Sequence, residues 1–333
     1  MTNKNSKKRV LIIGAGSIGT RHLRVIRGLG YDVLGCDKQP DAFNAIREQI
    51  AALPTYTDLD AALAEKPDLV VVATPPAAHA DHTVAALKAG AHVLCEKPMA
   101  DTLPACDRMI KAAHKYRKVL HIGFVNRHHP GLRRIKEAAD SGRLGKIVFG
   151  SADLGSYFTL MCSRSRYQAD VYGALLLDYT HQLDYMPWIM GSPVVRLYAA
   201  GRTLGNFEFK SKPNVLAMIL EHANGTMTEI HLDYCRHPQQ GSAAITGDQG
   251  YIKADFTTNR IVIGSLKAGK LREEDISVER DDLFREQFRQ FVAATEGRPA
   301  EIVPGAEGRR ATQLVAAALK SLKLRRPVAI PLP

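Results

Sequence analysis

Three short stretches of this chain carry residue types and spacings that could do chemistry. The first is Gly14-Ala15-Gly16-Ser17-Ile18-Gly19, which follows an apolar run and opens a helical pattern. Gly14 permits a tight turn, Gly16 lets a pyrophosphate approach the backbone, and Gly19 allows close helix–strand packing. Ser17 and Ile18 begin a helix whose first N–H groups and positive dipole end face the phosphates. Asp37 ends the next apolar run and is placed to accept hydrogen bonds from the adenosine ribose hydroxyls. Its carboxylate repels the extra phosphate of NADP, and the adjoining Lys38 softens that repulsion, so NAD is the expected cofactor with NADP as a second choice.

The second stretch pairs Thr74-Pro75-Pro76, with His79 shortly after, and Cys95-Glu96-Lys97-Pro98. Each follows an apolar run, which places both at the carboxyl edge of a parallel sheet, where ligands bind in this architecture. The third is Leu177-Asp178-Tyr179-Thr180-His181-Gln182-Leu183-Asp184-Tyr185. In one continuous helix Asp178, His181 and Asp184 share a face. A histidine flanked by carboxylates is suited to take a hydroxyl proton near neutral pH. The same residues also suit a helix cap and a core histidine. Tyr157, Arg166 and Tyr167, ahead of that helix, are candidate sugar or carboxylate contacts, or else packing residues. His121, His128 and His129 lack any metal-ligand spacing, so no metal is expected.

The elements that must position these groups fall into two rhythms. Up to residue 125, apolar runs at 10–13, 33–36, 69–73, 92–95 and 119–124 alternate with helical patterns at 18–29, 40–53, 77–89 and 103–116. Near-continuous apolar strands separated by helices predict a doubly wound α/β Rossmann domain with its parallel sheet covered on both faces, residues 1–125. Beyond it come helical stretches at 131–141 and 174–190, strand-like segments at 146–154, 194–200, 215–221, 227–234, 242–246, 251–255 and 260–263, and closing helices at 283–295 and 306–322. Hairpin signals at Asn224-Gly225 and Asp248-Gln249-Gly250 separate some of the strands. This predicts an α+β domain with a largely antiparallel open sheet over 126–333.

Composition narrows the class. The 333 residues are 45% hydrophobic, which suits a two-domain globular chain. No stretch approaches the roughly 18 apolar residues of a bilayer span. The basic start, residues 1–9, lacks the apolar segment of a secretory signal. Five cysteines form no CxxC pair, which suits a reducing, cytoplasmic setting. The net charge of +11 is dispersed along the chain rather than clustered, which predicts attraction of an anionic cofactor and substrate rather than nucleic-acid binding.

With these motifs in place, the chain resembles the Gfo/Idh/MocA family of oxidoreductases. Glu96-Lys97-Pro98 is similar to that family's signature, Thr74-Pro75-Pro76 with His79 to its adjacent loop, and Gly123-Phe124-Val125-Asn126-Arg127 to its entry into the second domain. The resemblance covers essentially the whole chain. It implies that Lys97 contacts the nicotinamide ribose and the hydroxyl being oxidised, where an ammonium stabilises developing alkoxide charge. It implies Thr74, Pro75, His79 and Glu96 around the cofactor, Asn126 and Arg127 near the substrate, and His181 as acid/base. The family places an aspartate four residues before that histidine; here that residue is Leu177, and Asp178 stands three before instead. The implied reaction is reversible hydride transfer between NAD and a secondary hydroxyl of a sugar, cyclitol or sugar acid, by a homodimer or homotetramer. The 173–191 stretch and His231-Leu232-Asp233-Tyr234 are loosely similar to members of surface-polysaccharide and sialic-acid-like sugar pathways. Two alternatives stand beside it: NAD-dependent glycoside cleavage through transient oxidation, and a non-catalytic dinucleotide-binding sensor.

Overall fold

The computed structural model describes residues 8–47, 53–163, 166–269 and 271–332. They form two compact units, one of residues 1–125 with 279–312 and the other of residues 126–278 with 313–333. The first unit begins β1 (Arg9–Ile13), α1 (Ser17–Gly28), β2 (Asp32–Cys36), α2 (Asn44–Arg47), β3 (Thr55–Tyr56), α3 (Leu59–Ala64), β4 (Leu69–Val72), α4 (Pro76–Lys88), β5 (His92–Glu96), α5 (Leu103–Tyr116) and β6 (Leu120–Gly123). Its sheet runs β3-β2-β1-β4-β5-β6 with every pairing parallel. Alternate residues explain the continuous apolar runs. Leu11, Ile13, Val70 and Val72 are buried in the cluster on one face, while Val10, Ile12, Val33 and Val71 are buried in the cluster on the other.

Two details of this unit differ from expectation. The helix expected over 40–53 is a turn followed by the four-residue α2, and residues 48–52 of that range lie outside the described residues. β3 and α3 were not foreseen. They are short, and α3 is fixed by a cap, the Asp58 carboxylate accepting the Ala61 N–H at 2.7 Å.

The second unit starts with a 3₁₀ turn at Val125–His128, then α6 (Pro130–Asp140), β7 (Ile147–Gly155), α7 (Tyr157–Cys162), α8 (Tyr167–Asp170), α9 (Ala174–Asp178), α10 (Thr180–Met190), β8 (Val194–Arg202), β9 (Val215–His222), β10 (Met227–Asp233), β11 (Gln240–Gly247), β12 (Gly250–Asp255), β13 (Arg260–Ser265) and β14 (Leu271–Asp275). Then follow α11 (Arg280–Thr295), α12 (Gly305–Leu324) and β15 (Val328–Ala329). The nine-stranded sheet runs β14-β13-β12-β11-β7-β10-β9-β8-β15, antiparallel throughout except for β7 beside β10. One face buries Leu197, Leu216, Leu220, Ile230, Ile245 and Ile252 together with α6, α10 and the later turns of α12. The other face is exposed, with Tyr198, Ile219, Met227 and Tyr251 on it.

The chain divides between Val125 and Asn126, and not all of 126–333 falls in the second unit. α11 and the first turns of α12 return to the first unit. The reason is apolar. Phe288 and Phe291 are fully buried in the cluster with Val10, Ile12, Val33 and Leu94. Each such side chain contributes about 1.5–3 kcal/mol by leaving water. Gly305 and Gly308 let α12 lie close, since a Cβ there would fall 2.9 Å from Ile110 and 2.5 Å from Ile122.

The helix expected over 174–190 is broken. Tyr179 leaves helical geometry (φ −105°, ψ 36°) and separates α9 from α10. The Thr180 hydroxyl, 2.8 Å from the carbonyls of both Leu176 and Leu177, ties the break together. Asp178 therefore ends one helix while His181 and Asp184 stand on the next, and the single shared face does not exist.

Candidate active site

The three glycines of the first unit divide their work as their surroundings dictate. Gly14 has φ +100°, and a Cβ there would meet the Ala73 carbonyl oxygen at 2.6 Å. At Gly19 a Cβ would lie 1.9 Å from the Gly14 carbonyl oxygen, so only glycine lets α1 start this close to the turn. Gly16 has nothing within 4 Å of an added Cβ. It and Ser17 are exposed at the mouth of α1, with Ile18 half-buried behind them. The helix start thus offers unpaired N–H donors beside open space, which suits a pyrophosphate.

Asp37 is fixed rather than free to swing. One carboxylate oxygen accepts the Ala15 N–H at 2.8 Å and the other the Gln39 N–H at 3.0 Å. This links the end of β2 to the glycine loop and leaves the remaining lone pairs for ribose hydroxyls. Lys38 beside it is exposed. These residues fit a dinucleotide.

At the ends of β4 and β5 the arrangement is tighter. Thr74 is half-buried, its hydroxyl 3.0 Å from His82 Nδ1, and Pro75 is exposed at the start of α4. His79 is 1% exposed, and its ring nitrogens meet the carbonyls of Pro98 at 3.0 Å and Thr74 at 2.7 Å. Burial pushes its pKa below the ordinary histidine value, against the pull of those carbonyls. His79 therefore braces the two loops and does not present its ring to a ligand. Glu96 is likewise turned inward, 8% exposed, with Oε1 2.7 Å from His22 Nε2 and Oε2 accepting the Lys97 N–H at 3.2 Å. Lys97 itself is half-buried at the carboxyl end of β5.

In the second unit His181 is half-buried in the first turn of α10. Asp178 collects donors. The hydroxyls of Tyr167 and Tyr234 (2.5 Å) and the Gln168 side-chain amide (3.1 Å) all point at its carboxylate. Burial first, and the Asp178 charge second, push both tyrosine pKa values up, so both phenols stay protonated. Asp184 is held by Arg127 through two contacts, 2.6 and 2.9 Å, and the guanidinium lies 5.3 Å from the Trp188 ring centroid. Asn126 sits half-buried beside Arg127 in the 3₁₀ turn.

The three loop candidates are engaged internally. Tyr157 packs on Phe207 with centroids 5.2 Å apart, and its hydroxyl accepts the Phe209 N–H at 3.2 Å. Arg166 lies 3.9 Å over the Phe209 ring and donates to the Leu160 carbonyl. Tyr167 serves Asp178. These contacts make all three braces of the 157–179 segment.

Sequence reasoning missed His22 and the tie between Tyr234 and Asp178. His22 had a signal, since it stands three residues after Gly19 and so shares the buried face of α1. The Tyr234–Asp178 tie had none, because its two ends are 56 residues apart. Among the described residues no group of three His, Cys, Asp or Glu could hold a metal, and no helix is long and apolar enough to cross a membrane.

Comparison with known proteins agrees with the fold of both units. Residues 8–124 match the family model described as the GFO_IDH_MocA oxidoreductase family, NAD-binding Rossmann fold, and residues 132–253 match the GFO/IDH/MocA C-terminal domain. Myo-inositol 2-dehydrogenase of Thermotoga maritima is 28% identical over 96% of this chain and 98% of its own. D-glucoside 3-dehydrogenase of Escherichia coli is 27% identical over 95% of this chain and 96% of its own. The WlbA dehydrogenase of Bordetella pertussis, solved with NADH and UDP-GlcNAcA, shares the fold with a TM-score of 0.83 at 23% identity, covering 99% of both chains.

Proposed function

The chain belongs to the Gfo/Idh/MocA family of NAD-binding oxidoreductases, and from that premise we propose that it moves a hydride between NAD and a secondary hydroxyl of a cyclitol, sugar or sugar-acid derivative. The observation that carries this reading lies within the first unit. The open glycine loop follows β1 and Lys97 follows β5, so both stand at the carboxyl edge of one parallel sheet. NAD supplies the two-electron acceptor. The Lys97 ammonium stabilises the substrate oxygen as its negative charge develops, and His181 takes the hydroxyl proton. The C–H bond breaks as the C=O bond forms, so the alcohol loses a hydride and a proton.

Asp178 and Asp184 act at one remove from this chemistry. The first fixes Tyr167 and Tyr234, and the second fixes Arg127. Asp37, pinned by two N–H donors, supports NAD over NADP because it cannot rotate away from a 2′-phosphate. Relatives named for myo-inositol and D-glucoside support a ring hydroxyl as the target. The net charge of +11 favours an anionic derivative, such as those of surface polysaccharides or sialic-acid-like sugars. The exposed sheet face bearing Tyr198, Ile219, Met227 and Tyr251 supports a homodimer or homotetramer.

The reading is tested with ring-deuterated myo-inositol, methyl glucosides and uronic acids, following the label by mass spectrometry. Deuterium from at least one substrate appears in NADH. A labelled ring that keeps its deuterium while its aglycone is released would assign glycoside cleavage instead. No transfer to NADH from any substrate, with no cleavage, would sink both.

A further inference from the structure

A carboxylate in the interior costs several kcal/mol of lost hydration unless partners compensate it, and an apolar residue would fill the same space without that cost. Glu96 is such a group. Its side chain is 10% exposed and its partner His22 is 0% exposed, with Nε2 and Oε1 2.7 Å apart. The register allows this by pairing Glu96 with Gly123 on β6, where a Cβ would fall 2.9 Å from the Glu96 carboxyl carbon. Among the described residues His22 Nδ1 is buried without a hydrogen-bond partner, as expected when Nε2 carries the proton and donates to Glu96. Phe284 of α11 closes the other side of the ring, edge-on at 5.0 Å.

The pair joins two functional ends of the unit. His22 lies on α1, whose first turn faces the expected pyrophosphate. The second oxygen of Glu96 accepts the Lys97 N–H and so fixes the peptide from which the Lys97 side chain departs. We propose that His22 and Glu96 are a buried positioning pair that sets Lys97 relative to the dinucleotide held by the 14–19 loop. Neither group touches substrate. The pair acts through the Lys97 main chain, and His79, on the Pro98 carbonyl, steadies the backbone on the other side of Lys97. This inference rests on the reading of Lys97 as a group beside the nicotinamide.

The test needs no substrate. The lysines of the full chain are labelled competitively with acetic anhydride, with and without saturating NAD, and Lys97 is quantified by mass spectrometry against the exposed Lys111. NAD protects wild-type Lys97 by about fivefold or more, roughly the effect of 1 kcal/mol. His22→Leu, which fills space without a donor, binds NAD by calorimetry with a Kd within about threefold of wild type, yet loses most of the protection. His22→Gln, which returns an N–H near the Nε2 position, restores it. His22→Met, which also fills space without a donor, supplies the same comparison should His22→Leu not fold, and it too retains NAD binding while losing protection. Protection in His22→Leu equal to wild type, failure of His22→Gln to restore it, or loss of NAD binding in His22→Leu would overturn the proposal and leave the pair a packing contact. Absence of protection in wild type would instead remove Lys97 from the nicotinamide, and the pair's proposed role with it.

Discussion

At the scale of single residues, Gly16 and Gly19 make opposite predictions although both belong to one motif. A Cβ at Gly16 meets nothing, and its φ of −65° suits any residue. Gly16→Ala therefore leaves the thermal midpoint within about 2 °C of wild type and weakens NAD binding by about tenfold or more, because the methyl occupies pyrophosphate space. A Cβ at Gly19 overlaps the Gly14 carbonyl oxygen at 1.9 Å. Gly19→Ala forces α1 away from the turn and lowers the midpoint by several degrees, with NAD binding falling as a consequence. Calorimetry and thermal unfolding on the same samples check both. If the two variants behaved alike, the separate roles assigned to the glycines would be wrong. Much of this was legible in the sequence, since Gly14, Gly16, Gly19 and Asp37 act over short separations that spacing encodes. The inward turn of Glu96 and His79 was not, because it depends on which long-range neighbour each side chain meets after folding.

At the scale of elements, the break at Tyr179 shows where periodicity misleads. Asp178, His181 and Asp184 have helical spacing, but Asp178 is committed to tyrosines from α8 and from the residue after β10, and the chain bends to allow it. Such tertiary demands outweigh a local preference of a few tenths of a kcal/mol per residue. The cap of α6 gives a pH prediction. His129 Nδ1 accepts the Gly131 N–H at 3.1 Å, so the folded state needs the neutral ring. Burial lowers its pKa from 6.5 to about 4. Between those values the unfolded chain binds the extra proton, so this contribution is complete above about pH 6.5 and falls as pH drops toward 4. The loss from this one group is at most about 3 kcal/mol. His129→Asn keeps a capping oxygen that does not titrate there. Urea unfolding across this range should show a shallower acid loss in the variant than in wild type, the other buried histidines being common to both. Parallel pH dependences in the two proteins would contradict the assignment.

At the scale of the whole molecule, nothing local in 279–312 signals its return to the first unit. The signal lay in Phe288 and Phe291, whose partners on β1, β2 and β5 are roughly 200 to 280 residues earlier. The alternation of strands and helices, by contrast, made both sheets legible, because period and continuity of apolar residues report burial on one face or two. The proposed chemistry draws on both units of the chain, with Lys97 in one and His181 in the other. The most direct test is steady-state NADH production by the full chain with its best secondary-alcohol substrate, for wild type, Lys97→Ala and His181→Ala. At saturating NAD both variants are expected to lose about a hundredfold or more in kcat, the usual cost of removing an oxyanion donor or a general base, while His181→Ala binds NAD as wild type does. A Lys97→Ala enzyme that turns over as fast as wild type would contradict the account.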